Sequence, residues 1–396
     1  MKIVVASGKF KGSLSAKEAS LAMKKGLKKV LPQAKIILCP LADGGEGTVQ
    51  TLIQATKGKI LKKQVTGPLG EPVQAYFGLL GSGASAINQQ QTTAVIEMAA
   101  ASGLHLVPRE KRDPMLATSY GTGELIKEAL DCGAREIFIG VGDSATTDGG
   151  LGLAQALGAE FFGKLGELLG RGGKELKKLQ RIDLSGLDPR IKKAKFLILS
   201  DVDNPLFGPQ GAACVYAPQK GATEEEVTEL DAGLRNLARV IKKDLGMDIA
   251  DFPGAGAAGG LGAGLKAFLK AKITPGADFI IKVTRLERKL KGADLVITGE
   301  GKIDAQTSRG KTPMAVAKLA KERNIPLFAV GGQVSKDAAI LKTQGVTEFF
   351  SLTELSGSVK ESREKAAFFL EKTAELAGTK LLQKNSFKNG SGSENR

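Results

Sequence analysis

The 396-residue sequence predicts a two-domain α/β protein in which at least one domain is built on a parallel sheet. Three observations carry this expectation. Short apolar runs alternate with helix-period segments at both ends of the chain, glycine-rich loops bearing carboxylates or lysines follow several of those runs, and the length exceeds that of one ordinary domain. Ile3 to Ala6 reads as a buried strand, and Ser13 to Val30 as a helix with Ser13 as its cap. A second strand, Ile36 to Leu41, leads through Asp43-Gly44-Gly45-Glu46-Gly47 into a helix from Thr48 to Ala55. From Val65 to about Pro108 the pattern changes to alternating strands with turns at Thr66-Gly67-Pro68-Leu69-Gly70 and Gly81-Ser82-Gly83, which marks another domain. Helix, strand and helix patterns then occupy Glu124–Leu130, Glu136–Val141 and Asp148–Leu157, and Leu197–Ser200 reads as a strand.

The closing rhythm is a strand over Leu295–Thr298, a helix over Met314–Arg323, a strand over Leu327–Val330, a helix over Lys336–Thr343 and a strand over Thr347–Ser351. The opening and closing portions are expected to share one parallel sheet. The expected division is therefore residues 1–66 with 285–382 as one discontinuous domain and 67–284 as the second. Residues 383–396 lose apolar periodicity and contain Asn389-Gly390-Ser391-Gly392-Ser393, the composition of a disordered tail.

Composition removes several function classes. No apolar stretch approaches the roughly 18 residues of a membrane span, and Met1 to Ala6 runs straight into a strand pattern, so a cytoplasmic protein without a membrane partner is expected. Cys39, Cys132 and Cys214 have no paired spacing, which argues against a disulfide framework or a zinc site. The net charge of +15 raises nucleic-acid binding, but the lysines lie along helix-like stretches such as Lys24, Lys25, Lys28 and Lys29, and only 5% of residues are aromatic. Solvated helix faces explain these runs, no nucleic-acid partner is expected, and the surplus charge suits anionic metabolites.

Four loops stand where open α/β sheets gather ligands. Gly8-Lys9-Phe10-Lys11-Gly12-Ser13 offers two lysines and free amides to an anion, or is a plain turn. In Asp43-Gly44-Gly45-Glu46-Gly47, glycines admit a ligand to the backbone while Asp43 holds a metal or hydroxyl, or caps the helix. Gly142-Asp143-Ser144-Ala145-Thr146-Thr147-Asp148-Gly149-Gly150 presents amides and hydroxyls suited to phosphate oxygens. The last set pairs Asp201-Val202-Asp203-Asn204 with Thr298-Gly299-Glu300-Gly301-Lys302-Ile303-Asp304-Ala305-Gln306-Thr307, both following strands. Phosphoryl transfer needs such groups: Mg²⁺ takes oxygen ligands, a substrate hydroxyl needs a proton acceptor, and a cation such as Lys11 or Lys311 meets developing charge.

Two motifs are decoys. Gly254-Ala255-Gly256-Ala257-Ala258-Gly259 matches a dinucleotide fingerprint but follows no convincing strand, so it reads as a loop opening a helix. Gly310-Lys311-Thr312 resembles the end of a phosphate-binding loop, but Ala305 stands where its first glycine belongs. The lone His105, between Leu104 and Leu106, reads as a packed strand position and excludes a triad built on another histidine.

Taken in order, these segments resemble the bacterial type I glycerate kinase family from Met1 to about Leu382. The resemblance rests on Phe10-Lys11-Gly12-Ser13-Leu14, Leu41-Ala42-Asp43-Gly44-Gly45-Glu46-Gly47-Thr48, Ala94-Val95-Ile96-Glu97-Met98-Ala99, Tyr120-Gly121-Thr122-Gly123-Glu124 and Ser144-Ala145-Thr146. It continues through Asp148-Gly149-Gly150, Asp201-Val202-Asp203-Asn204-Pro205-Leu206, Pro218-Gln219-Lys220-Gly221-Ala222 and Ile297-Thr298-Gly299-Glu300-Gly301 with Asp304, Gln306 and Thr307. The resemblance implies a flavodoxin-like domain joined to a second α/β domain, an active site between them, and transfer of the ATP γ-phosphoryl group to D-glycerate, usually giving the 2-phosphate. ATP and Mg²⁺ are the cofactors it implies, and glycerate the substrate.

On these positions Asp201, supported by Asp304 and Asp43, is expected nearest the reacting hydroxyl or its metal, with Asp201, Asp203 and Asp304 as metal ligands. Lys11, Ser13, Gly44, Gly45, Ser144, Thr146, Asp148, Asn204, Gly299, Glu300, Gly301, Gln306, Thr307 and Lys311 are expected to bind substrate or nucleotide. Two loops depart from the family pattern. Gly8-Lys9 stands where the family commonly has Asp-Ser, and Gly142-Asp143 where it has Gly-Gly, so one loop loses a carboxylate and another gains one. A kinase of a related hydroxy acid and a catalytically impaired, metabolite-binding relative are the alternatives these changes raise.

Overall fold

The computed structural model describes residues 1–81, 92–308 and 312–390. The chain divides into two compact units, the first made of Met1–Asp43 with the chain from Ile280 onward, the second of Gly44–Phe279.

The first unit opens with β1 (Lys2–Ser7), α1 (Ala16–Val30) and β2 (Lys35–Leu38). The α1 cap is Ser15 and not Ser13: Ser15 and Glu18 form a reciprocal capping box. Ser13 instead sits in the preceding turn, its hydroxyl and its amide both donating to Phe10 O at 3.0 and 2.9 Å. A cap at Ser13 would start the helix at Leu14, which instead bridges back to Phe10.

The second unit runs through α2 (Thr48–Thr56), β3 (Lys59–Thr66), β4 (Pro72–Leu79), β5 (Thr93–Glu97), α3 (Ala99–Ser102), α4 (Tyr120–Asp131), β6 (Glu136–Gly140) and α5 (Leu151–Ala156). A small β7 (Glu160–Phe162) and β8 (Arg181–Asp183) ribbon follows, then β9 (Lys195–Leu199), α6 (Ala212–Tyr216), α7 (Glu224–Leu245), α8 (Ala257–Leu269) and β10 (Lys272–Thr274). Helix α9 (Gly276–Thr284) carries the chain over the boundary. The first unit then resumes with α10 (Leu286–Leu290), β11 (Leu295–Ile303), α11 (Thr312–Glu322), β12 (Leu327–Val334), β13 (Glu348–Ser351), α12 (Leu352–Ser356), α13 (Val359–Glu364) and α14 (Ala366–Gly390).

In the first unit the sheet order is β2-β1-β11-β12-β13, with every pairing parallel. Counted within the unit this is the 2-1-3-4-5 order of flavodoxin-like folds, as the family resemblance implies. Its strands are apolar almost throughout because helices cover both faces, and the core joins Ile3, Val5, Leu27, Leu295, Phe328 and Leu370. The second unit has the order β10-β9-β6-β5-β4-β3: β10, β9, β6 and β5 run parallel, and β4 and β3 add an antiparallel edge.

Residues 44–66, which the sequence reading places with the first domain, lie in the second unit. The reason is pairing: β3 is bonded to β4 along its whole length, from Lys59 opposite Leu79 to Thr66 opposite Pro72. Three local expectations also shift. Lys336–Lys342 forms a 3₁₀ helix, His105 is exposed on a 3₁₀ turn over Leu104–Leu106 and not packed in a strand, and α14 continues to Gly390. Residues 391–396 lie outside the described residues, as do Ser82 and Gly83 of the expected Gly81-Ser82-Gly83 turn.

Helix α14 packs on α1 so closely that a Cβ at Gly26 would fall 2.0 Å from Glu371 O. Lys25 and Lys29 both pair with the Glu371 carboxylate alongside. A Gly26→Val substitution must push the two helices apart, so a loss of about 2–3 kcal/mol in unfolding free energy is expected in urea titrations. An unchanged midpoint would show that the helices are not held at this distance.

Candidate active site

In the first unit the strand order reverses between β1 and β11, the switch point at which open α/β sheets gather ligands. The loop after β1 is laced to the last part of β11 by backbone, with Gly8 N donating to Gly299 O at 2.9 Å. Two glycines of β11 stand at close approaches: a Cβ on Gly299 would lie 2.8 Å from Val330 O, and one on Gly301 3.1 Å from Lys11 N. Phe10 is buried as the anchor of the first loop, which leaves Lys11, Gly12 and Ser13 exposed at its rim.

The last residues of β11 and the 3₁₀ turn after it bring two carboxylates close together. Glu300 Oε1 accepts from Thr307 Oγ1 at 2.8 Å, Asp304 N donates to Thr307 Oγ1 at 3.2 Å, and Asp304 Oδ2 pairs with Lys302 Nζ at 2.9 Å. Hydrogen bonding to Asp304, with its charge, holds the Lys302 ammonium above the usual lysine value. The structure thus brings Glu300, Asp304 and Thr307 together, and Gln306 belongs to the same 3₁₀ turn, Ala305–Ser308. Lys311 lies outside the described residues. Asp43 is exposed at the end of the segment following β2, where Thr312 Oγ1, at the start of α11, donates to Ala42 O at 3.2 Å.

In the second unit the Gly44-Gly45 segment lies directly on the carboxyl ends of β6 and β9. A Cβ on Gly44 would fall 2.6 Å from Leu199 O, one on Gly140 2.2 Å from Gly44 O, and one on Gly142 2.7 Å from Gly45 Cα. Gly44 and Gly47 also hold φ of +92° and +93°, which side chains strongly disfavour. Below this loop the buried Glu97, at the end of β5, accepts from Val49 N of α2 at 2.6 Å and from Tyr76 Oη at 3.1 Å. Burial and then the Glu97 charge push the Tyr76 hydroxyl far above its ordinary value. Glu97 is the α2 anchor that reading by loops passes over, because it lies within a strand.

The loop from Gly142 to Gly150 is fastened from beneath. Asp148 is fully buried and accepts from Ser119 N at 2.7 Å, Ser119 Oγ at 2.8 Å, Gly150 N at 3.1 Å and Gly152 N at 3.2 Å. Burial raises its carboxyl pKa, and those four donors oppose the shift. Lys220, equally buried, donates from Nζ to Ser144 Oγ at 2.9 Å and to Thr146 O at 2.6 Å. Burial pushes its pKa down to about 7, with the Asp148 charge pulling the other way. The last glycine of the dinucleotide-like decoy serves this loop: a Cβ on Gly259 would fall 2.0 Å from Thr146 O, so α8 supports it backbone to backbone. Asp143 holds φ of +58°, a conformation that Asp adopts more readily than most residues and that explains why glycine suits its place.

The structure engages several expected ligand-binding residues internally. Asp148 shapes its own loop, and Asn204 bonds Gln210 O at 2.8 Å and the Tyr216 hydroxyl at 2.7 Å. Asp201 accepts from Gly276 N at 2.8 Å and Ala277 N at 3.3 Å, at the start of α9. Asp203 is exposed two residues on. No group of three or more His, Cys, Asp or Glu side chains among the described residues is placed to hold a metal ion. A cation that takes one or two carboxylates and completes its shell with phosphate oxygens and water still fits the donors at Asp201 and Asp203.

Comparison with known proteins identifies the family. The model of the "Glycerate kinase family" matches residues 3–382. A glycerate kinase of Bacillus subtilis is 47% identical over 98% of this chain and 100% of its own length. A glycerate 2-kinase of Escherichia coli is 48% identical over 91% of this chain and 93% of its own. A crystal structure described as that of a glycerate kinase 2 from Salmonella typhimurium LT2 superposes with a TM-score of 0.81 at 43% identity, covering 98% of this chain and 99% of that one. Fold and relatives together define an ATP-dependent α/β kinase. The chain belongs to the glycerate kinase family.

The buried amine of Lys220 generates a pH prediction. Its proton is lost near pH 7 in the folded chain, whereas the unfolded chain keeps it up to the ordinary value of 10.5. Across that window the unfolded state binds more protons, so the Lys220 contribution to stability rises with pH. In urea titrations of wild type and Lys220→Met, the difference in wild type's favour is expected to widen from about pH 7 to about pH 9.5. A constant difference would show that the amine stays charged.

Proposed function

We propose that the protein transfers the γ-phosphoryl group of ATP to a hydroxyl of D-glycerate, giving 2-phosphoglycerate, in the cytoplasm. The near full-length match to proteins named glycerate kinase carries this reading, with the E. coli relative's name supporting the 2-position. The chain's own residues divide the work by chemistry. Glycine-backed amides at Gly44, Gly45, Gly299 and Gly301, with the hydroxyls of Ser144 and Thr146, offer donors to phosphate and carboxylate oxygens, while Ser13 and Thr307, whose hydroxyl protons go to Phe10 O and Glu300, hold their turns in shape. Lys11 and Lys311 are the cations proposed to meet anionic groups, and Glu300 and Gln306 flank Thr307. Asp201 and Asp203 would hold Mg²⁺, which neutralises charge on the phosphates when bound. Asp201, with Asp43 and Asp304, is the carboxylate proposed to accept the hydroxyl proton.

The reading is tested by glycerate-dependent ADP formation with and without Mg²⁺. Turnover that needs both is expected, and none at millimolar glycerate would refute it. Asp201→Asn separates two roles: as proton acceptor it should lower kcat by roughly 10² or more, whereas as a cap of α9 alone it should lower stability by about 1 kcal/mol with kcat unchanged.

The replacement at Gly8 favours a second reading, a kinase of a related small hydroxy acid or a relative with little catalysis. A Cβ at Gly8 would lie 3.3 Å from Gly299 O, a contact that a small shift relieves. Gly8→Asp is therefore expected to fold, and a panel of hydroxy acids assayed on both forms decides. A several-fold rise in kcat/KM for glycerate in Gly8→Asp would show a lost group, and a wild-type preference for another acid would show altered specificity.

A further inference from the structure

Lys220 is 2% exposed, is held in a strand-to-helix loop's interior and is not one of the groups expected from the sequence to touch a ligand. An ammonium has three donors and no acceptor, so its contact with Ser144 Oγ fixes the polarity of that hydroxyl. With its oxygen already accepting, Ser144 must direct its own proton elsewhere. The second contact, to Thr146 O, fixes a peptide plane: turning that carbonyl onto Lys220 turns the Thr147 N–H in the opposite direction. The same loop also carries two buried hydroxyls, Thr146 Oγ1 and Thr147 Oγ1, without a hydrogen-bond partner. Such groups are costly to leave unmade, which marks the loop as built for a further acceptor. Asp148 is spent on four other donors and does not take Ser144's place as an acceptor here.

We propose that Lys220 is a positioning residue that makes Ser144 an obligate hydrogen-bond donor to an oxyanion, either the carboxylate of the acid substrate or a phosphate of the nucleotide. Lys220 does not touch that ligand; it acts through Ser144. This rests on the kinase reading above, and the experiment separates the two.

Glycerate and, separately, a Mg²⁺-bound non-hydrolysable ATP analogue are titrated calorimetrically at pH 6.5 into wild type, Lys220→Met, Ser144→Ala and the double variant. Each single variant is expected to weaken one and the same ligand by about tenfold, with the other within about twofold, and the ligand affected names the source of the oxyanion. Because one residue acts through the other, the double variant is expected to lose about tenfold and not the hundredfold of independent groups. Multiplying effects, equal loss for both ligands, or no loss in Lys220→Met overturns the proposal. If Lys220→Met does not fold, Lys220→Arg, which keeps the charge and donors, must bind within about twofold of wild type while Ser144→Ala does not. Wild type that binds neither ligand refutes the kinase reading alone. Inorganic phosphate then serves as the probe, and equal phosphate affinity in wild type and Ser144→Ala overturns the positioning role.

Discussion

The constraint on which the candidate site depends is the distance between backbones at the carboxyl ends of the parallel strands. Gly44 rests on Leu199 O, Gly140 on Gly44 O, and Gly301 on Lys11 N, each at a distance where a methyl group would collide or crowd. Parallel strands end with their loops pointing the same way, and when those loops touch without side chains their amides stay near enough to a ligand to bond it. The glycine content is thus concentrated in effect. Many glycines merely turn the chain, but these let backbone meet backbone where a side chain would stand between them.

Beneath the loops the polar interior follows a second rule, that buried charge survives only when its bonds are made. Asp148 meets it with four donors, and Glu97 with an amide and a phenol. Lys220 meets it less completely, which is why burial moves its proton affinity so far. These side chains hold loops to helices rather than facing a ligand, and their removal would be felt as lost order in the binding loops before any lost contact.

The first unit's sheet was legible because its strands are continuous apolar runs and its helices carry clear periodicity. Its 2-1-3-4-5 order entered through the family resemblance and not through those local patterns. The boundary at residue 66 was not legible, since nothing local in Lys59–Thr66 says that its partner is the following strand and not the preceding sheet. Ser13 and Ser15 are equivalent as caps in composition; only the Glu18 three residues after Ser15 distinguishes them. The loops were recognisable as ligand loops, but whether an acid in them faces solvent or the protein was not. Asp148 and Asp203 look alike in sequence, and one is wholly enclosed while the other is exposed. Lys220 was hidden for the same reason: a lysine in a Gly-bearing loop reads as surface until its surroundings are known.

The interleaving of the two units has a temporal side. β1 lies inside its sheet, between β2 and β11, and its register with β11, Ile3 beside Leu295, joins residues almost three hundred positions apart. The α1 surface is closed later still, by α14. During synthesis the opening β1-α1-β2 segment therefore emerges with no strand to complete its sheet, while Gly44–Phe279 is continuous and has its whole core available as soon as it leaves the ribosome. The second unit is in a position to fold first, and β1, which has only β2 as a partner in the newborn segment, keeps its other edge open to misassociation until β11 has been made.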